Sequence, residues 1–227
     1  MIEGTSHKTY RIYLIRHGET VANMNGIVLG QTESPLTEKG RSQALLTKMH
    51  LNQHQINFWK VYCSDQQRAV DTADLIASNV QLIKDDRLRE RAKGVREGMP
   101  KEMSREEALS SYLSKTGQIS TDISLPFEED NETVWLRFDS WLKEVVGDEE
   151  GDDQKTIKNI LVVSHSGTIR IVLNRLKDIT GINCIEPIQP TMVIPNCSIT
   201  IINIDIDLNG QKSIAFDGIV QDSHLES

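Results

Sequence analysis

Short apolar runs alternate with longer stretches of helical spacing along this chain. Residues 10–15, YRIYLI, are rich in β-formers and predict a strand that stops at Arg16-His17-Gly18. Residues 23–36, with Gly26, Gly30, Ser34 and Pro35, read as loop. Thr37 is placed to cap a helix running to about residue 50, with Ala44, Leu45 and Met49 expected on its inner face. Residues 58–63, FWKVYC, predict a second strand. Ser64 or Asp65 then caps a helix to about residue 78, with Val70, Ala73, Ile76 and Ala77 at helical spacing. A short strand is expected near 81–83. Residues 85–130 are irregular and charged, with a helix around 103–115. The strongest amphipathic pattern covers 132–146, where Val134, Trp135, Phe138, Trp141, Leu142 and Val145 form one stripe that reads as core. Residues 160–164, ILVVS, are a third strand, followed by a helix over 167–176. Two β-rich runs within 198–217 flank Asn209-Gly210, a hairpin turn signal.

Strands alternating with helices imply βαβ units. The expected fold is therefore α/β: a three-layer arrangement with a mainly parallel central sheet flanked by helices and an antiparallel edge hairpin. One domain is expected over 10–220, with 85–130 as an excursion over the active site. Residues 1–9 and 221–227 are expected to be terminal tails.

Composition narrows the functional classes. The 227 residues carry 25 Lys plus Arg against 33 Asp plus Glu, a formal charge of −8. That balance argues against a nucleic-acid or membrane-surface partner, while leaving room for a local basic pocket. Cys63, Cys184 and Cys197 have no CxxC spacing, so neither a disulfide framework nor a structural zinc site is expected. The polar start of the chain and the lack of any apolar run of about 20 residues lead to the expectation of a cytoplasmic protein. The acidic stretch 147–158 lacks EF-hand spacing and reads as a solvated connector.

Open parallel sheets bind ligands at the carboxyl ends of their strands. Arg16 and His17 follow the first expected strand. Arg68 lies on the first turns after the second, and His165, Ser166 and Gly167 follow the third. Two histidines and two arginines thus converge on one edge, joined by a helix N-terminus that favours anions. Such a group describes a phosphate pocket, since arginine forks match phosphate oxygens. A neutral imidazole can attack phosphorus, and a second can stabilise the charge that develops. A carboxylic acid must protonate the leaving oxygen. Glu19, Asp65, Glu90 and Glu97 all lie near that edge, and position along the chain does not choose among them.

Five ordered segments carry a resemblance: LIRHGET at 14–20 with Asn23 behind it, SPLTEKG at 34–40, SDQQRAVDTA at 64–73, LRERAKGVREG at 88–98 and VVSHSG at 162–167. Together they resemble the histidine phosphatase superfamily, the phosphoglycerate mutase-like clan, over roughly 10–176. The resemblance implies a phosphoglycerate mutase-like fold and a phosphatase of small phosphomonoesters or sugar (bis)phosphates working through a phosphohistidine. It implies that His17 becomes phosphorylated. Arg16, Arg68 and His165 would hold the phosphoryl group, Asn23 would donate to it, and Glu90 would be the proton donor. The backbone after His165, with Ser166, would also contact phosphate. No metal and no cofactor are expected, and the expected partner is a small phosphorylated metabolite. The family more often has glycine where Ser166 stands, and many members have an aromatic near Val95. The LRERAKGVREGM segment is closest in form to broad-specificity phosphatases and fructose-2,6-bisphosphatase-like members. A phosphoglycerate mutase with the same phosphohistidine is the alternative, weakened by the shortness of 97–131. A non-catalytic module binding a phospho-ligand or a protein is a further alternative. The oligomeric state stays open.

The remaining candidates have plainer readings. His50 and His54, four apart, read as a polar helix end lacking a third ligand. Cys63 reads as a small core hydrophobe. The run from Arg87 to Arg96 is read as solvated or paired with neighbouring acids, with a second-phosphate role as the sharper alternative.

Overall fold

The structure is a computed structural model, described for residues 8–117, 125–147, 157–180, 193–207 and 209–225. Six strands form one sheet in the order β3-β2-β4-β1-β5-β6. The strands are β1 (Lys8–Arg16), β2 (Lys60–Cys63), β3 (Leu82–Lys84), β4 (Ile157–Ser164), β5 (Ile199–Ile206) and β6 (Lys212–Gln221). β1 pairs in parallel with β4, and β2 in parallel with both β4 and β3. β5 runs antiparallel to β1, and β6 antiparallel to β5. The expected α/β class, mainly parallel sheet and antiparallel edge are all present. At the hairpin tip, the Asp207 carboxylate accepts from the amides of Asn209 and Gln211, and Gly210 takes a positive φ of 76°.

Helices cover both faces: α1 (Val21–Met24), α2 (Glu38–Gln53), α3 (Gln67–Ile76), α4 (Arg105–Thr116), α5 (Asn131–Gly147) and α6 (Ser166–Thr180). The strand alternation sorts the core into two layers. Ile12, Leu14, Ile160 and Val162 face α5 and α6, while Tyr13, Ile15, Leu161 and Val163 face α2 and α3. The stripe expected on α5 is buried throughout, with Trp141 edge-on to Tyr62 at 5.4 Å between ring centroids.

Two local expectations fail for physical reasons. Thr37 does cap α2, accepting from the Gly40 amide. The inner face, however, is Gly40, Ala44, Thr47 and Leu51, and Leu45 and Met49 are exposed. Gly40 sets that face: a Cβ there would lie 2.1 Å from the Glu19 carbonyl oxygen, so α2 packs against the segment after β1 through its smallest residues. α3 starts later than expected, with Gln66 as an N-cap that makes no side-chain capping bond. Ser64 accepts from the Gln66 amide and Asp65 pairs with Arg89, so neither caps the helix. The stretch 23–36 also begins inside α1, which Thr20 and Asn23 close with a capping box. The acidic stretch at 148–156 and Cys184 lie outside the described residues.

Candidate active site

Strand register assembles the site. Arg16 is the register partner of Ser164 across the parallel β1–β4 pair, so the next residue on each strand, His17 and His165, emerges at the same edge. Their ring centroids lie 5.1 Å apart. The His17 amide donates to the Ser164 carbonyl at 3.0 Å. From the antiparallel side, the Cys197 amide donates to the Arg16 carbonyl and the Asn196 side chain donates to the His17 carbonyl, each at 2.9 Å.

His17 is 3% exposed. Its Nδ1 lies 2.7 Å from the Gly18 carbonyl oxygen. A carbonyl only accepts, so this bond assigns the proton to Nδ1 and leaves the Nε2 lone pair bare. Burial, then the nearby Arg68 and Arg16 charges, hold the pKa well below the usual imidazole value, against a smaller raising effect of the Gly18 bond. His165 is fully buried, and both its ring nitrogens lack a hydrogen-bond partner among the described residues. Burial and the Arg68 charge push its pKa well down too. Both rings are therefore neutral near pH 7.

The two arginines are fixed by oxygens and keep an edge open. Arg16 donates from Nη1 to the Ile194 carbonyl and from Nη2 to the Asn23 side chain at 3.2 Å. Arg68 donates to the carbonyls of Thr32 at 2.8 Å and Gly30 at 2.9 Å, and to the Gln66 side chain at 3.2 Å. The Nε of each is buried without a hydrogen-bond partner among the described residues. Burial lowers the Arg16 pKa to about 10, which still leaves it cationic. Unpaired buried polar atoms are rare, and four of the seven side-chain atoms of this kind among the described residues belong to Arg16, Arg68 and His165. A tetrahedral anion seated between them would satisfy these groups.

Geometry also separates the four carboxylates. Glu19 is paired with Lys39, and Asp65 with Arg89. Glu97 accepts from the amides of Gln31 and Lys93. Glu90 alone among the four lines the cleft with His17. It is held by the Gly167 amide at 3.0 Å, the Thr168 amide at 3.2 Å and the Arg91 amide at 2.8 Å. Its segment is tied down by the Ser164 hydroxyl to the Leu88 carbonyl and the Thr168 hydroxyl to the Arg89 carbonyl. The first amides of α6, expected to face phosphate, thus serve Glu90 at Gly167 and Thr168. The Ser166 hydroxyl accepts from the Ile194 amide at 3.3 Å, and the residue lines the cleft.

The cleft holds about 510 Å³ and is lined by Arg16, His17, Asn23, Arg68, Glu90 and Ser166, with Lys93, Arg96, Lys101 and Arg170 farther round the wall. Asn23 does two jobs: its Oδ1 accepts from Thr20, Arg16 and Asn196 while the residue faces the cleft. Sequence reasoning missed Asn196 and Gln66. Asn196 precedes an antiparallel strand, whose start lies on the same edge as the ends of the parallel ones, and that topological signal was available. Gln66 is buried; it accepts from the Glu90 amide at 2.9 Å and from Arg68, and donates to the Gly30 carbonyl. No local pattern announces that role. One further expectation is corrected: His50 does have a third histidine nearby. His224 packs 5.0 Å from its ring and His54 lies 4.4 Å away. Even so, no group of such side chains among the described residues is arranged to hold a metal ion.

A mainly parallel sheet with a buried histidine pair between two arginines at its carboxyl edge defines a phosphoryl-handling α/β protein. The model of the histidine phosphatase superfamily (branch 1) matches residues 12–214, and the chain belongs to that superfamily. It is 31% identical to the fructose-2,6-bisphosphatase TIGAR B of Danio rerio over 210 residues, which cover 79% of this chain and 78% of the relative. It is also 31% identical to a broad-specificity phosphatase of Saccharomyces cerevisiae over 172 residues, 74% of this chain and 70% of that one. The fold matches a phosphoglycerate mutase from Bacillus anthracis with a TM-score of 0.68 at 23% identity, covering 97% of each chain. The chain is an enzyme of the phosphatase class. No helix among the described residues is long and apolar enough to cross a membrane.

Proposed function

We propose that the protein hydrolyses small phosphomonoesters through a phosphohistidine on His17, without a metal ion. The observation that carries this reading is the His17 tautomer, with Nδ1 committed to the Gly18 carbonyl and Nε2 bare beside two buried arginines. In the first step Nε2 attacks phosphorus and the bond to the leaving oxygen breaks. Arg16, Arg68 and His165 hold the phosphoryl oxygens. Glu90, as a carboxylic acid, gives its proton to the leaving alkoxide. In the second step Glu90 takes a proton from water, which attacks phosphorus and frees His17 and inorganic phosphate. Asn23 contributes a further donor. A reducing cytoplasm is the proposed setting; burial pushes the thiols of Cys63 and Cys197 up to about 12, so both are inert.

The test is phosphate release from a panel of phosphomonoesters with chelator present, beside His17→Ala. Turnover that survives chelation, with acid-labile phosphate trapped on the wild type and absent from the variant, is the expected result. Metal-dependent release, or release undiminished in His17→Ala, would overturn it. Interconversion of 3-phosphoglycerate with little phosphate release would replace hydrolysis by mutase chemistry.

A further inference from the structure

Glu90 is held from two sides. On the inner side its carboxylate lies against the start of α6, so close that a Cβ at Gly167 would stand 2.4 Å from Oε1. On the outer side the segment that carries it is gripped at both ends by one ion pair. Arg137 of α5 donates from Nη1 to the Arg87 carbonyl at 2.5 Å, and the Glu129 carboxylate accepts from the Ala92 amide at 2.8 Å. The two side chains meet as a fork, Nε to Oε1 at 3.0 Å and Nη2 to Oε2 at 3.2 Å, and are only 15% and 6% exposed. The backbone strengthens the grip. The Glu129 amide donates to the Ala92 carbonyl at 3.2 Å, and the Glu129 carbonyl accepts from Arg91 Nε at 2.7 Å.

Packing alone does not call for two charges there. Arg137 flanks the apolar stripe of α5, three residues after Val134 and four before Trp141, where another apolar side chain would extend the core. Taking both charges out of water is costly, and apolar residues of similar volume often serve stability as well or better. An apolar pair could not, however, donate to the Arg87 carbonyl and accept from the Ala92 amide. Those contacts pin the two ends of 87–92, while the Ser164 and Thr168 hydroxyls and the Gln66 side chain hold Leu88, Arg89 and Glu90 between them. Such fixing matters for a proton donor, which must come within hydrogen-bond reach of the leaving oxygen. A misplacement of about 1 Å can cost about 10²-fold in rate.

We propose that Glu129 and Arg137 are positioning residues for the proton donor: their ion pair sets the span 87–92 so that the Glu90 carboxyl meets the leaving oxygen. This rests on the phosphatase reading above and adds to it two residues that do not line the cleft. The pair acts on departure of the leaving group and not on phosphate binding, because Arg16 and Arg68 are fixed by other partners. Its two charges also have to go together. Burial and the Arg68 charge lead the lowering of the His165 pKa, and Arg137 adds to it. Removing Glu129 alone would leave that cation uncompensated beside the site, so a clean test removes both.

The experiment measures kcat and KM on glycerol 3-phosphate, whose leaving oxygen needs a proton, and on p-nitrophenyl phosphate, whose leaving group does not. The proteins are the wild type, Glu90→Gln, the double variant Glu129→Gln/Arg137→Met, the triple variant that combines them, and the control Arg175→Gln, which breaks an exposed ion pair to α5. The double variant leaves no lone buried charge, so it is expected to fold. Its kcat is expected to fall about 10- to 100-fold on glycerol 3-phosphate and less than about 3-fold on p-nitrophenyl phosphate, with KM within about 2-fold on both. Added to Glu90→Gln, it should lower kcat no further. Arg175→Gln should match the wild type. Equal losses on both probes, or a full further loss on top of Glu90→Gln, would overturn the positioning role and leave the phosphatase intact. A Glu90→Gln loss equal on both probes would overturn the role together with the proton donor it serves. A wild type that releases no phosphate from any compound sinks the phosphatase reading, and amide hydrogen exchange then decides for the pair. Faster exchange at Arg91, Gly167 and Thr168, whose amides donate to Glu90, in the double variant would keep the pair as the support of that carboxylate; unchanged exchange would overturn it.

Discussion

The molecule contains two histidine clusters with nearly the same ring spacing and opposite characters. His17 and His165 are 5.1 Å apart at the carboxyl edge of the sheet, while His50 and His224 are 5.0 Å apart on the outer end of α2. The first pair is buried beside Arg16 and Arg68, with ring nitrogens left unsatisfied on His165. The second is partly solvated and held by ordinary bonds: Thr47 meets His224 Nε2 at 3.1 Å, and His54 Nδ1 meets the His50 carbonyl at 2.9 Å. Proximity of imidazoles is thus not chemistry. Burial keeps the inner rings neutral, and fixed cations alongside make that edge a place for an anion.

The sharpest way to break the contrast is to delete one ring from each cluster. His17→Ala is expected to lower phosphate release by about 10⁴-fold or more, because it removes the nucleophile itself. Next in size is Glu90→Gln, with a loss of about 10²- to 10⁴-fold on alkyl phosphates. That loss should shrink on p-nitrophenyl phosphate, whose leaving group needs no proton. An equal loss on both substrates in steady-state assays would remove Glu90 from the proton-donor role.

Acid titration sharpens the comparison further. The pKa of His17 is depressed in the folded state, so the bare Nε2 persists as pH falls below the usual imidazole value near 6.5. The acid limb of kcat/KM assigned to this group should therefore lie below pH 6.5. Stability follows the same sign. Below about pH 6.5 the unfolded chain binds protons that buried His17 and His165 refuse, so the free energy of unfolding falls as pH drops toward the folded pKa values. Denaturant titrations between pH 7 and 5 should show this decline, and it should be shallower in His17→Ala.

Gln66→Leu removes a buried amide that serves Glu90, Arg68 and the Gly30 carbonyl. A cost of about 1–3 kcal/mol in stability is expected by chemical denaturation, together with lowered kcat. The smallest effect belongs to the outer cluster. His54→Ala, at an exposed position, should leave kcat/KM unchanged and shift stability within about 0.5 kcal/mol. A large loss of activity there would show that the two clusters are coupled.

Much of this was legible in one dimension. The β-rich runs at 10–15 and 160–164 lie inside β1 and β4, and the apolar stripe of α5 is buried as its spacing requires. The residues after those strands, His17 and His165, meet because parallel pairing aligns their ends. α2 was harder: helical periodicity alone favoured Leu45 and Met49, but contact with the Glu19 backbone at Gly40 selected another face.

What the sequence by itself determined is the set of elements and the chemistry attached to strand ends, since both depend on spacing and on the side-chain period. Tertiary structure alone decided which carboxylate faces His17, which members of a uniform basic run are neutralised, and where Gln66, Asn196 and His224 reach. Glu90 faces His17 because the amides of α6, 77 residues away, hold its carboxylate. Asp85, Glu144, Asp65 and Glu128 neutralise Arg87, Arg89 and Arg91, whereas Lys93 and Arg96 form no ion pair among the described residues. Charge and hydrogen bonding act through space over a few ångströms, and neighbours at that range are set by packing rather than by order along the chain.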